Sequence, residues 1–206
     1  MDNASDFTKR LLYLGSEFEK AALLEFQNVF RLLNLGGNGY VPGMSPHVNN
    51  SWLTGTPDYI LDHVDGFKAV IEVKTHWHPN ASEARPISEV ERVPLKHWLQ
   101  VQTYLEIQDL PVGYLWSWTM KNGNTCFRIN RDRGFFDGVI LPQIMKFRRA
   151  YEFGTCSNDD IDLRSVLSQM TFMRGERKQL MDLVYEAMLC SSQLIIRNNN
   201  FKVSYC

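Results

Sequence analysis

Two acidic residues and one lysine, carried on neighbouring stretches, are the most informative chemistry in the chain. Gly55-Thr56-Pro57-Asp58 is followed by Ala69-Val70-Ile71-Glu72-Val73-Lys74. Strand side chains alternate, so Glu72 and Lys74 share one face with Val70, while Ile71 and Val73 share the other. A strand this apolar belongs in the middle of a sheet. Two ionisable groups at its end are costly to bury unless they pair or hold a metal. Val64-Asp65-Gly66 reads as a hairpin turn, which brings Asp58 back beside them. Two carboxylates and an ammonium at one strand end suit a hard divalent cation together with a phosphate. Mg²⁺ takes oxygen ligands and keeps waters that can be deprotonated. The plainer alternative is a salt bridge between two strands at a sheet end.

Two weaker signals accompany the first. Gln100 and Tyr104 are four apart and stack on one helix face, beside an apolar face of Val101 and Leu105. Side by side, an amide and a phenol can orient a water or a phosphate oxygen; the bland reading is a half-exposed polar stripe. Gln102 points away from that stripe. Near the start, Gly15 in mid-helix costs about 1 kcal/mol against alanine, which suggests close approach of another group. Glu19 lies one turn on; taken alone it reads as a surface residue pairing with a lysine, and Glu17 and Glu25 read as solvated.

These side chains need elements to hold them. Leu11, Phe18, Ala22, Phe26, Val29 and Leu33 recur at helical steps from Thr8 to about Asn34, and Gly36-Gly37 ends the run. A loop rich in glycine, asparagine and proline follows, up to about Asn50. Extended segments are expected over Thr56 to His63 and Phe67 to Thr75. The stretch from His76 to Val93 is polar, holds Pro79 and Pro86 and shows no period; such long connections are often functional. Pro94 opens a helix from Leu95 to about Gln108. Val112 to Met120 and Thr125 to Asn130 read as a hairpin around Asn122-Gly123. Helical patterns return from about Phe136 to Phe153 and from about Leu163 to Cys190. The order predicts a single α/β domain over residues 1–206, with a small central mixed sheet flanked by helices. Its core spans about 8–152 and a helical C-terminal extension about 160–206.

Composition narrows the function classes. The chain has 206 residues, 22 basic against 23 acidic, for a formal net charge of −1. That excludes a polycation binding nucleic acid by bulk charge; any such binding needs a local basic groove. No apolar run approaches the ~20 residues of a membrane span. Met1 to Arg10 lacks the apolar stretch of a signal peptide, so a cytoplasmic protein is expected. The four cysteines, at 126, 156, 190 and 206, include no Cys-x-x-Cys pair, which argues against zinc or an iron–sulfur cluster.

Taken in order, Gly15/Glu19, Pro57-Asp58, Glu72-Val73-Lys74 and Gln100/Tyr104 resemble the PD-(D/E)xK nuclease superfamily, in its lambda-exonuclease, YqaJ and RecB-like branch. That branch carries a Gly-x-x-x-Glu helix, a Pro-Asp strand, a Glu-x-Lys strand and a Gln-x-x-x-Tyr helix. The aromatic strand Gly113-Tyr114-Leu115-Trp116-Ser117-Trp118 also fits, and the resemblance covers about residues 10–130. It implies a restriction-endonuclease-like core and a catalytic Mg²⁺ or Mn²⁺. Asp58, Glu72 and the Val73 carbonyl would ligate the metal, and Glu19 would reach a second one. Lys74 would position the attacking water and offset charge on the phosphate. Gln100 would orient Lys74 or the nucleophile, and Tyr104 would support the site or touch the DNA backbone. The chain departs from the lambda type in having Tyr59 after the Pro-Asp pair. It lacks the cysteine cluster of the iron–sulfur members and the histidine that RecB-type domains place on the first helix. His47 does not match that position.

The expected function is metal-dependent DNA exonuclease action on duplex ends, in phage or viral recombination or replication. The resemblance also implies a homo-oligomer and a single-strand annealing protein as partner. Rivals are an endonuclease or resolvase, an RNA-degrading nuclease, and an inactive DNA-binding module. Arg85, Arg92 and Lys96 flank the long connection and are candidates for holding DNA phosphates; interleaved Glu83, Glu89 and Glu91 favour a solvated loop almost equally. His76, Trp77 and His78 follow Lys74 and more often cover a strand end than touch DNA. Lys146, Arg148 and Arg149 read as a helix exterior, and Trp116 and Trp118 as core or a subunit contact.

Overall fold

The computed structural model describes residues 6–76, 84, 93–152 and 192–198. The chain groups into two compact units, residues 1–131 with 192–206, and residues 132–191.

The first unit is an α/β layer structure. Helix α1 (Asp6–Leu32) presents Ala22, Phe26, Val29 and Phe30 along one buried face, the three- and four-residue steps of an amphipathic helix. Asn34, in the left-handed conformation, ends it. Strand β1 (Gly36–Tyr40) follows, then a two-stranded ribbon of β2 (Ser45–Pro46) and β3 (Thr54–Gly55). Strands β4 (Tyr59–His63) and β5 (Lys68–Thr75) form the expected hairpin. Helix α2 (Leu95–Ile107) precedes β6 (Val112–Trp118), β7 (Asn124–Asn130) and β8 (Ser192–Asn198).

The six-stranded sheet has the order β1-β4-β5-β6-β7-β8. Only β5 and β6 run parallel, because the connection between them contains α2; every other neighbour is antiparallel. The fold is thus α/β with a mixed sheet flanked by helices. On one face, Tyr59, Leu61, Ile71, Val73, Tyr114, Trp116 and Trp118 pack against α1. Phe26 meets Trp116 edge-on at 5.6 Å between ring centroids, and Phe30 meets Tyr114 at 5.0 Å. The tryptophans of β6 are therefore core. On the other face, Val101 and Leu105 of α2 lie over Gly113. A methyl group there would come within 2.7 Å of the Val101 side chain, so glycine lets the helix sit close against the sheet.

Two elements differ from the sequence expectation. The glycine-rich stretch expected as loop is the edge strand β1. Gly36, Gly37 and Gly39 carry no side chains to alternate, which erases the period-two signal, and a side chain at Gly39 would run into the Ile60 carbonyl. At the C-terminus, the helical extension does not continue through 192–198. Those residues form β8 instead, where the run Leu194-Ile195-Ile196 adds to the open edge of β7. The helix expected from about Leu163 to Cys190 lies outside the described residues. Of the second unit, α3 (Arg133–Phe135), a π-helical turn (Phe136–Ile140) and α4 (Leu141–Glu152) are described. Among the described residues no helix is long and apolar enough to cross a membrane.

Candidate active site

The site begins where the β4–β5 ladder stops. Backbone pairing ends at Tyr59 opposite Ile71. One step further, the Asp58 side chain takes over from the missing strand: its Oδ2 accepts the Val73 N–H at 2.7 Å. The N–H and C=O of a strand residue lie along the same edge, so the Val73 carbonyl faces the side from which Asp58 approaches. Glu72 is 2% exposed on the α2 face of central strand β5. Its Oε1 is paired with the Lys74 ammonium. Its Oε2 is buried and has no hydrogen-bond partner among the described residues. The Asp58 and Glu72 carboxyl groups lie close enough that each acts on the other's ionisation.

Such crowding moves the acids. Burial pushes the Glu72 carboxyl up to about 7, and the negative charges of Asp58 and Glu19 add to this while Lys74 opposes it. Burial also raises Asp58, against the Val73 N–H and Lys74, which favour its ionised form. Glu19, exposed on α1, is raised by partial desolvation and by Asp58. Its charge therefore registers at the pair from a neighbouring element.

A divalent cation fits this arrangement through the orphaned Glu72 oxygen. A buried carboxylate oxygen without a donor is costly, and a cation is the partner that would offset that cost. Asp58, Glu72 and the Val73 carbonyl are the groups that could hold it, leaving water to complete the shell. No cluster of three His, Cys, Asp or Glu side chains suited to a metal exists among the described residues. Glu19 thus stands near the pair without completing a three-carboxylate cage.

Helix α2 brings the second signal to the same place. Gln100 Nε2 donates to the Tyr104 hydroxyl at 3.1 Å. Partial burial raises the Tyr104 phenol, and the charges of Glu72, Asp58 and Lys74 reach it. The loop before Asp58 rests on the same ring: a methyl group at Gly55 would lie 2.8 Å from Tyr104. Gln102, on another face, is buried and donates to the Asn130 carbonyl at 2.8 Å.

His97 went unnoticed in the sequence. It lies one turn before Gln100 on the same stripe, hydrogen-bonds to Gln100, and sits near Lys74, Lys96 and His76. Its i,i+3 spacing from Gln100 was the available signal. Lys96 is exposed in the first turn of α2. Arg85 and Arg92 lie outside the described residues, as do Trp77 and His78. Lys146 and Arg149 are exposed, and Arg148 pairs with Glu152 at 2.6 Å, as on a helix exterior.

Two readings on α1 need correction. Glu25 is not solvated: it accepts the Trp118 indole N–H and the Asn124 amide, both at 2.6 Å. One-dimensional periodicity could not show that the end of β6 lies beneath it. Gly15 admits no close neighbour, since a methyl group there would meet nothing within 4 Å among the described residues. No protein-family model matches the chain, and no curated protein matches it.

Proposed function

We propose that this chain is a metal-dependent DNA exonuclease of the PD-(D/E)xK type, hydrolysing phosphodiester bonds from duplex ends. The observation that carries the reading is the buried Glu72 Oε2, without a hydrogen-bond partner among the described residues, set beside Asp58 and paired through its other oxygen with Lys74, two residues on. A purely structural ion pair has no use for a second carboxylate forced against the first. Mg²⁺ or Mn²⁺ held by Asp58, Glu72 and the Val73 carbonyl would polarise the phosphoryl group and acidify a water. Lys74 opposes the rise in the Glu72 carboxyl and supplies positive charge for the attacked phosphate. Gln100, tied to Tyr104 and His97, orients the nucleophilic water or the lysine. Glu19 adds a third negative charge near the pair. In this reading the substrates are DNA ends in the cytoplasm, met during phage or viral recombination or replication. The partners are a single-strand annealing protein and further copies of the chain.

The test is digestion with Mg²⁺ of linear duplex, labelled at each strand end in turn, beside closed circular DNA and labelled RNA. Nucleotides released from linear DNA with the circle intact support the proposal. Cutting of the circle would make the chain an endonuclease, and cleavage of RNA alone a ribonuclease. Binding without cleavage in either metal would leave an inactive module.

A further inference from the structure

We propose that His76, Lys96 and His97, grouped beside Lys74, form a phosphate-binding subsite for a substrate phosphate adjacent to the one that is cut. The choice of phosphate rests on the nuclease reading; the anion site itself rests on the cluster. His76 is placed by the end of the sheet, where its backbone N–H donates to the Trp118 carbonyl at 2.9 Å. Its ring Nε2 is buried and has no hydrogen-bond partner among the described residues. Lys96 and His97 come from the first turn of α2, which holds no acidic residue. Among the described residues, the charges acting on the two rings come from Lys74, Lys96 and, for His97, from His76, with no carboxylate among them.

Burial and these cations press both imidazoles below their ordinary value, His97 to about 4. At neutral pH both rings are therefore uncharged donors beside the Lys96 ammonium, a set that an anion would complete. Two ammoniums and two imidazole N–H groups are donors, which matches a tetrahedral oxyanion. Around Lys74 the carboxylates and the imidazoles are thus separate neighbours, one set suited to a cation and the other to a phosphate.

The test uses the whole chain without metal, with inorganic phosphate as the probe. Histidine ring signals are followed by nuclear magnetic resonance at constant ionic strength, with chloride as the control. The His76 and His97 signals should shift saturably. Lys96→Ala and His97→Gln should each weaken phosphate binding by about tenfold, the loss of one charge-assisted contact. Circular dichroism shows whether each variant keeps its fold, and Lys96→Ala, at an exposed position, leaves packing untouched. Rings that respond no more than in chloride, or folded variants that bind phosphate as the parent does, overturn the subsite. Phosphate binding without any DNA cleavage by the parent would retire the nuclease reading and leave the subsite standing. Cleavage without a ring response would do the reverse.

Discussion

Glu72 is the residue on which most of the proposed chemistry turns. Its carboxyl is raised from an ordinary 4.5 to about 7 by burial and by Asp58. The folded, metal-free protein therefore binds a proton more tightly than the unfolded chain does. The associated stabilisation is complete below about pH 4.5 and is lost as pH rises through about 7, up to about 3 kcal/mol. Thermal melts in chelator should fall across that window, and Glu72→Gln should flatten the fall. Added Mg²⁺ should stabilise the parent most at the alkaline end, where the carboxylate is free to bind it. A melt independent of pH in the parent would show that Glu72 is ionised throughout. Lys74→Ala should abolish cleavage while DNA binding, read by fluorescence anisotropy, persists. Retained turnover would remove Lys74 from the role proposed for it. The Asp58, Glu72 and Lys74 set was legible in the sequence because strand alternation and one hairpin suffice to assemble it. His97 was not, because a lone histidine on a helix has no meaning until the end of β5 is brought beside it.

The elements hold these residues by close approach. The ribbon ending at Gly55 lies against the Tyr104 ring, where an added methyl would stand 2.8 Å from the ring and 2.9 Å from Ile107. Gly55→Ala should cost about 1–3 kcal/mol by overpacking, read from urea unfolding. It should also lower kcat by moving Tyr104 and Gln100. Equal losses of activity at saturating and limiting DNA would fit that displacement, whereas unchanged kcat would make Tyr104 peripheral. On the opposite face, Glu25 binds α1 to the sheet through Trp118 and Asn124. Glu25→Ala strands two buried donors at about 1–3 kcal/mol each. Its unfolding midpoint should drop accordingly, with DNA affinity unchanged. Helix α1, the β4–β5 hairpin, α2 and the β6–β7 hairpin were all legible, since each has its own period and turn residues. Strand β1 was hidden by glycines without alternating side chains, and β8 by its separation in sequence from the β7 edge that it joins.

At the scale of the molecule, a net charge of −1 means that DNA, on the proposed reading, would be held by a few local contacts. The slope of log affinity against log salt should therefore be shallow, near −0.9 for each phosphate neutralised, and Lys96→Ala should reduce it by about one such step. A steep slope would reveal a larger basic surface than the proposal contains. The chain's own order of residues determined that it forms an α/β fold, and it marked the acids and the lysine, because alternation, helical spacing and turn residues are local properties. Only the tertiary structure decided that Asp58 replaces a strand at Val73, and that one Glu72 oxygen is left without a partner among the described residues. It alone set Glu25 on the indole of Trp118 and gathered the imidazoles of His76 and His97 around Lys74. Those facts depend on which distant segments share an edge or a face, and burial and charge repulsion act between neighbours in space, whatever their distance along the chain.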